Sequence, residues 1–338
     1  MKKKITLCAI GDAIVDCVAT VSNEQLKSLG LKNGSMQRVD TAFQQRIFDA
    51  LDTDTLLMSS GGAAANTLVT FSRLGGVAAL FCSIAKDSYG DLFVQDLEKA
   101  QIQCLSHTCE SGATGTSVIL VTPDAERAMC TDLGVAGLLP PSSINEQIVK
   151  DSEWLFLEGY AFCDPPAMQQ SMEKSLDIAK RYGNSVAFAF GDVWIVRDFR
   201  SQFDKMIPQV DLIFANEAEA CEYTGFKDPI DAAAALLEKV SYVAVTAGSK
   251  GAFVGSHQTL LHIPSFPCTP VDLTSAGDTF AAAFLFGLIH GESLEHAGLA
   301  ACYFAMKAIT QMGARLNGDP KQYWEEARTI PNRTIRIR

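Results

Sequence analysis

Nine residues in the last quarter of the chain, Asp-Leu-Thr-Ser-Ala-Gly-Asp-Thr-Phe at 272–280, place three small residues, Ser275, Ala276 and Gly277, directly before the carboxylate of Asp278. An apolar run from Phe280 to Ile289 follows and reads as a buried helix. Small residues at a helix start let successive backbone N–H groups converge on one point, and the helix dipole makes that point attractive to an anion. A carboxylate in the same turn would lie beside a bound phosphate. That pairing suits phosphoryl transfer, in which a base takes a hydroxyl proton while fixed donors hold the charge of the moving group. The same residue types also make an ordinary helix start, with Asp278 as a cap, and this stretch alone supports both readings.

Further polar residues fall where strands would end. Gly11-Asp12-Ala13-Ile14-Val15-Asp16 follows the apolar run Ile5–Ile10, and a carboxylate at such a strand end can accept from two neighbouring hydroxyls of a diol. Its alternative is a turn residue. Gly61-Gly62-Ala-Ala-Ala-Asn66 opens a helix running to about Leu74, with Gly62 and Asn66 one turn apart; a small-residue packing helix is the plainer reading. Arg127 starts the second strand of a hairpin turned at Pro123-Asp124, where it is either solvated or within reach of a phosphate. Glu158 ends a strand at 154–157, and Tyr160 and Phe162 after it either stack on a base or belong to the core. Asn216 and Glu219 have capping-box spacing. Thr246-Ala-Gly248-Ser-Lys-Gly251 joins two strands. No GxG and no Gly-Lys pair occurs, so neither a Rossmann fingerprint nor a Walker loop is present.

Taken together and in this order, the segments resemble the PfkB carbohydrate kinases, the ribokinase-like family. Asp272, Ala276, Gly277 and Asp278 match the signature Asp-Thr-x-Gly-Ala-Gly-Asp, with Leu273 in place of Thr and Ser275 in place of the first Gly. Residues 61–66 match Gly-Gly-x-x-x-Asn, closed by Gly75, and 216–219 match Asn-x-x-Glu. The resemblance covers about residues 5–315. It implies an α/β fold, a three-layer α/β/α sandwich around a mostly parallel sheet, with a small, mostly β lid from about 17–60 and 112–131. It implies ATP-dependent phosphorylation of a hydroxymethyl group. Asp278 would be the base, the 275–278 amides the anion hole, and Arg127 a phosphate contact. Asp12, Ile14, Asp16, Met36, Gly61, Gly62, Asn66, Glu158 and Tyr160 would hold the acceptor. Asn216, Glu219, Thr246, Gly248 and Gly251 would hold ATP, with Glu219 reaching Mg²⁺ through water; some relatives add K⁺ at the strand end before the signature. Gly34-Ser35-Met36 within a two-helix insertion, and Leu-Glu-Gly-Tyr at 157–160, look more like the adenosine kinase branch than like ribokinase. Adenosine is therefore the first expected acceptor, with ribose or fructose second and a silent nucleoside-binding protein third.

Elements to position these groups follow from the pattern. From residue 132 on, short apolar strands at 154–157, 186–190, 212–215 and 243–246 alternate with helices such as Pro166–Tyr182 and Ile230–Leu237, the pattern of a doubly wound sheet. Before it, strands at 78–85, 116–122 and 127–131 and helices at 41–51 and 89–100 are expected, and the segment 17–60 breaks the βα rhythm, as a lid would. The net charge of −11 argues against a nucleic-acid partner. Ten scattered cysteines without a CxxC pair read as reduced core residues, and the five histidines lack zinc-ligand spacing. Met-Lys-Lys-Lys before Ile5 imitates a signal peptide, but Gly11 and Asp12 end the apolar run too soon. The run near 280–289 is about half of the ~20 residues of a membrane span. A cytoplasmic protein, monomer or homodimer and with no membrane partner, is expected.

Overall fold

Apolar runs too short for helices and bounded by polar turns become strands buried on both faces. Leu7–Ile10 (β1) and Ala78–Ala85 (β5) are buried at every position, as parallel strands covered on both sides must be. The computed structural model describes residues 5–32, 35–52, 56–124, 127–257 and 259–338. The expectations for Met1–Lys4, Gly34 and Thr55 fall outside the described residues.

Among the described residues, Gln103–Cys109 (β6), Trp154–Glu158 (β9), Ser185–Ala189 (β10), Leu212–Asn216 (β11), Tyr242–Thr246 (β12), Ala252–Ser256 (β13), Thr259–Ile263 (β14) and Ile335–Arg336 (β15) join β1 and β5. The ten-stranded order is β15-β14-β13-β12-β11-β10-β9-β1-β5-β6. From β12 to β6 the strands are parallel, while β13, β14 and β15 return antiparallel. Helices Ala63–Leu74, Ala276–Ile289 and Leu294–Ile309 pack on one face and Pro166–Tyr182, Glu217–Thr224 and Pro229–Leu237 on the other, giving two apolar cores and three layers. Register pairs Glu158 with Ala189 and Asn216 with Thr246, so polar strand ends emerge along one edge.

A second sheet of five strands, β3-β8-β7-β2-β4, comprises Ser35–Arg38 (β3), Arg127–Asp132 (β8), Gly115–Val121 (β7), Ile14–Thr20 (β2) and Leu57–Gly61 (β4). It is mixed: β2 runs parallel to β7 and antiparallel to β4. Two differences from the sequence reading matter. Ile14, Val15 and Asp16 belong to a strand rather than to the loop after β1, because the buried stretch runs on without a break from Ile14 to Ala19. The edge strand β6 escapes the reading of the sequence because its half-exposed run, QCLSHTC, lacks both an apolar stretch and a clean alternation.

Candidate active site

The helix Ala276–Ile289 begins at Ser275, whose φ of 55° is left-handed. This conformation disfavours a side chain and accounts for the glycine at this place in the signature. Ser275 offers its helix no side-chain cap; its hydroxyl donates instead to the Ala314 carbonyl at 2.6 Å. A Cβ built on Gly277 would meet nothing within 4 Å, so open space stands over the turn. Asp272 stiffens the turn from behind, accepting from Thr274 N and Oγ1 and from Gly313 N at 2.6–2.9 Å.

Asp278 projects from the first turn of this helix into a cavity of about 640 Å³ lined by both sheets. Asn66 Nδ2 donates to Asp278 Oδ2 at 2.9 Å, which joins two motifs 212 residues apart. The buried Asn66 Oδ1 has no hydrogen-bond partner among the described residues. A buried acceptor left unpaired costs about 1–3 kcal/mol, so it suits a ligand that brings a hydroxyl or amine donor. Asp12 pairs instead with the Asp164 carboxyl, and burial holds its own carboxyl well above the usual range. Gly61 and Gly62 make room for these groups. A Cβ on Gly61 would lie 2.3 Å from the Asp16 carboxyl, and one on Gly62, at φ 88°, 2.4 Å from the Asp12 carbonyl.

Asp12, Ile14, Asp16, Met36, Gly62, Asn66, Arg127, Glu158, Tyr160, Asn216, Glu219, Thr246 and residues 275–278 all line this cavity. Gly61 sits behind Asp16, and Gly248 and Gly251 lie in the β12–β13 turn outside the lining. Phe162 packs in the core against Phe188 and Phe203, which excludes it from stacking on a base. Tyr160 keeps its hydroxyl on the Gly191 carbonyl at 3.2 Å. Glu158 also braces the neighbouring helix, its Oε2 accepting from Ala64 N at 3.0 Å at the start of the segment that carries Asn66.

Water exclusion and mutual repulsion push these carboxyls up. Asp278 rises to about 6, desolvation being offset by the Asn66 donor and the charges of Arg315 and Arg127. Asp16 rises to about 7, again by desolvation and against the charge of Arg315. Glu158 rises to about 8 through desolvation and the neighbouring Asp278 and Asp164 charges. In the unfolded chain such groups titrate near ~4, so the folded protein binds more protons between those limits. The stability penalty is thus full above pH ~8, begins to lift as pH falls through the folded values of about 8 to 6, and is gone only near the unfolded value of ~4. The ligand-free protein is expected to melt several degrees higher at pH 5.5 than at pH 8.5; a flat or opposite pH dependence of Tm would contradict this electrostatic picture.

At the other end of the cavity, Asn216 caps the helix Glu217–Thr224 with a complete capping box. Glu219 Oε2 accepts from Asn216 N at 2.9 Å and Oε1 from Asn216 Nδ2 at 2.7 Å. Desolvation lifts Glu219 to about 7. Among the described residues no group of three or more His, Cys, Asp or Glu could hold a metal ion. A buried carboxylate with both oxygens already braced fits a Mg²⁺ ion held mainly by phosphates and water better than one bound directly by the protein.

Three features have no signal in the sequence. Arg38, from β3, reaches across to Asp164 at 2.8 Å and to the Cys163 carbonyl at 3.0 Å, tying the second sheet to the core. Met129 and Leu133 add to an apolar wall with Ile14 and Met36. Arg315 lies behind Asp16 and Asp278. The Arg38 pairing spans 126 residues, a separation that no local pattern reveals.

Known proteins resemble this chain in sequence and in fold. The family model described as pfkB family carbohydrate kinase matches residues 5–322. Adenosine kinase of Saccharomyces cerevisiae is 26% identical over 91% of this chain and 95% of its own length, and ribokinase of Mus musculus is 28% identical over 69% and 72%. The crystal structure of adenosine kinase from Sinorhizobium meliloti superposes with a TM-score of 0.90 at 29% identity, covering 96% of this chain and all of that one. A probable sugar kinase from Rhizobium etli gives 0.91 at 28% identity, covering 97% and 99%. No helix among the described residues is long and apolar enough to cross a membrane. With a ribokinase-like fold, a small second sheet and a family model that spans nearly its whole length, the chain belongs to the pfkB family of carbohydrate kinases, phosphotransferases with an alcohol acceptor.

Proposed function

We propose that this kinase transfers the γ-phosphoryl group of ATP to the hydroxymethyl group of a nucleoside, adenosine first. The observation that carries the reading is the make-up of the acceptor end. Two buried carboxylates, Asp12 and Asp16, lie beside an apolar wall of Ile14, Met36, Met129 and Leu133. Carboxylates suit a ribose diol, and an apolar wall suits the flat face of a base. The likeness to adenosine kinases over nine-tenths of the chain agrees. Asp278 would take the hydroxyl proton, Asn66 would orient Asp278, and the amides of 275–278 with Arg127 would hold charge on the transferring group. Mg²⁺, when bound, neutralises phosphate charge, and Asn216 and Glu219 would hold its waters. A free sugar is the second reading, favoured by the polar Arg38–Asp164 pair beside Asp12 and by the likeness to ribokinase. ATP consumption is to be measured against nucleosides, ribose and fructose. Adenosine is expected to give the highest kcat/KM; turnover with sugars alone would select the second reading, and no turnover with any acceptor would favour binding without catalysis.

Glu219→Gln is expected to raise the Mg²⁺ concentration needed for half-maximal rate several-fold. A glutamine keeps one acceptor for the Asn216 bonds but loses the charge that attracts the ion's waters. A drop in Tm with an unchanged Mg²⁺ dependence would leave Glu219 as a cap only.

A further inference from the structure

Residues 313–315 follow the long helix Leu294–Ile309 and touch both motifs that build the acceptor end. Gly313 N donates to Asp272 Oδ2 at 2.9 Å, and the Ala314 carbonyl accepts from Ser275 Oγ at 2.6 Å, so this short segment grips the signature turn from behind. Arg315 grips the other motif. Its Nη1 donates to the Ala65 carbonyl at 3.2 Å and its Nη2 to the Ser60 hydroxyl at 2.6 Å and the Ser60 carbonyl. Ser60 N and Oγ in turn donate to Asp96 Oδ2 at 3.0 Å. Each Arg315 contact lies one residue from a position that packs against or holds a carboxyl of the cavity. Ser60 precedes Gly61, against which the Asp16 carboxyl packs, and Ala65 precedes Asn66, which holds Asp278.

We propose that Arg315 is a positioning residue for phosphoryl transfer. By bridging Ser60 at the end of β4 and Ala65 at the start of the following helix, it sets Asn66 and Gly61, and through them Asp278 and Asp16, in register with the signature turn. Only a planar fork with several donors meets these acceptors together, so a lysine ammonium cannot replace it. Its positive charge is the second part of the role. Ser60 and Ala65 offer it neutral acceptors, and the carboxylates whose field reaches it are Asp16, Asp96 and Asp278. Asp278 faces Arg315 and Arg127 as cations, with Asp16, Glu158 and Tyr160 nearby; Asp16 faces Arg315, Asp272 and Asp278. Loss of Arg315 therefore leaves the acidic cluster with less counter-charge. Its carboxyls then ionise at higher pH.

Arg315→Gln and Arg315→Lys are to be compared with wild type across pH 5–9, using whichever acceptor the wild type phosphorylates. In Arg315→Gln the acidic limb of kcat/KM is expected to move up by about one pH unit, with kcat falling more than about ten-fold. In Arg315→Lys the limb stays near that of wild type, while the acceptor KM rises several-fold because the fork is gone. A folded Arg315→Gln with the wild-type limb and kcat overturns the proposal, even if its Tm falls, since a purely structural role predicts that pattern. Should Arg315→Gln not fold, Arg315→Lys with wild-type kcat and KM overturns it equally. The inference rests on Asp278 as the base, but that assignment fails on Asp278→Asn alone, whereas Arg315 is judged with Asp278 intact.

Discussion

Asp278→Asn is expected to lower kcat by about 10²–10⁴-fold, the usual worth of a general base, while fold and ATP binding persist. The amide is nearly isosteric with the carboxyl, and its oxygen still accepts from Asn66 Nδ2, the bond that measures 2.9 Å in wild type. The turn before it depends on Ser275, Asp272 and the 313–314 segment rather than on the residue-278 side chain. What disappears is the basic oxygen that would receive the hydroxyl proton. The raised titration of Asp278, about 6, suits that role, since a base poised near the working pH is deprotonated yet strong enough to accept. The check is steady-state ATP consumption together with ATP affinity and a melting curve. A folded variant with near wild-type turnover would remove Asp278 from the reaction.

The parts of this site that are legible in the sequence are those written locally. The signature turn, the double glycine before Asn66 and the Asn216–Glu219 box each lie within one turn of chain, where residue type and spacing dictate conformation. Helix Pro166–Tyr182 follows from apolar residues at helical spacing, Met168, Met172, Leu176 and Ala179, and strands such as β5 from short apolar runs. Long-range partners are not legible. Nothing near Arg38 announces Asp164, and nothing in the Gly-Ala setting of Arg315 announces Ser60 or Ala65. Ile14–Asp16 read as a loop because Gly11 and Asp12 interrupt the run, although the chain only changes sheets there: β1 ends at Ile10 and β2 begins at Ile14. For Phe162 the sequence leaves stacking and core both open, and neighbours that only the fold supplies, Phe188 and Phe203, decide for the core.

Asp16→Ala is expected to raise the acceptor KM ten-fold or more and to weaken a closing motion that we propose for the second sheet. Asp16 is a buried residue of β2, six residues after the core-sheet strand β1 ends at Ile10, and its carboxyl rests on Gly61 of β4. A ligand bound to it would thus be bound to the second sheet itself, while Asn66 and Asp278, which line the same cavity, would hold that ligand from the core. Such an arrangement would convert acceptor affinity into closure, and a kinase needs closure to keep water from the phosphoryl group. Two charge-assisted hydrogen bonds to a diol, each ~1.5–3 kcal/mol, set the scale of the loss. The same logic gives low ATPase activity without acceptor, and slower hydrogen exchange in 17–50 and 112–131 when acceptor is present. In Asp16→Ala this protection should need correspondingly more acceptor to appear. Unchanged exchange in both segments at saturating acceptor would show that they do not close. A wild-type KM for every accepted substrate in Asp16→Ala would return this residue to a packing role against Gly61.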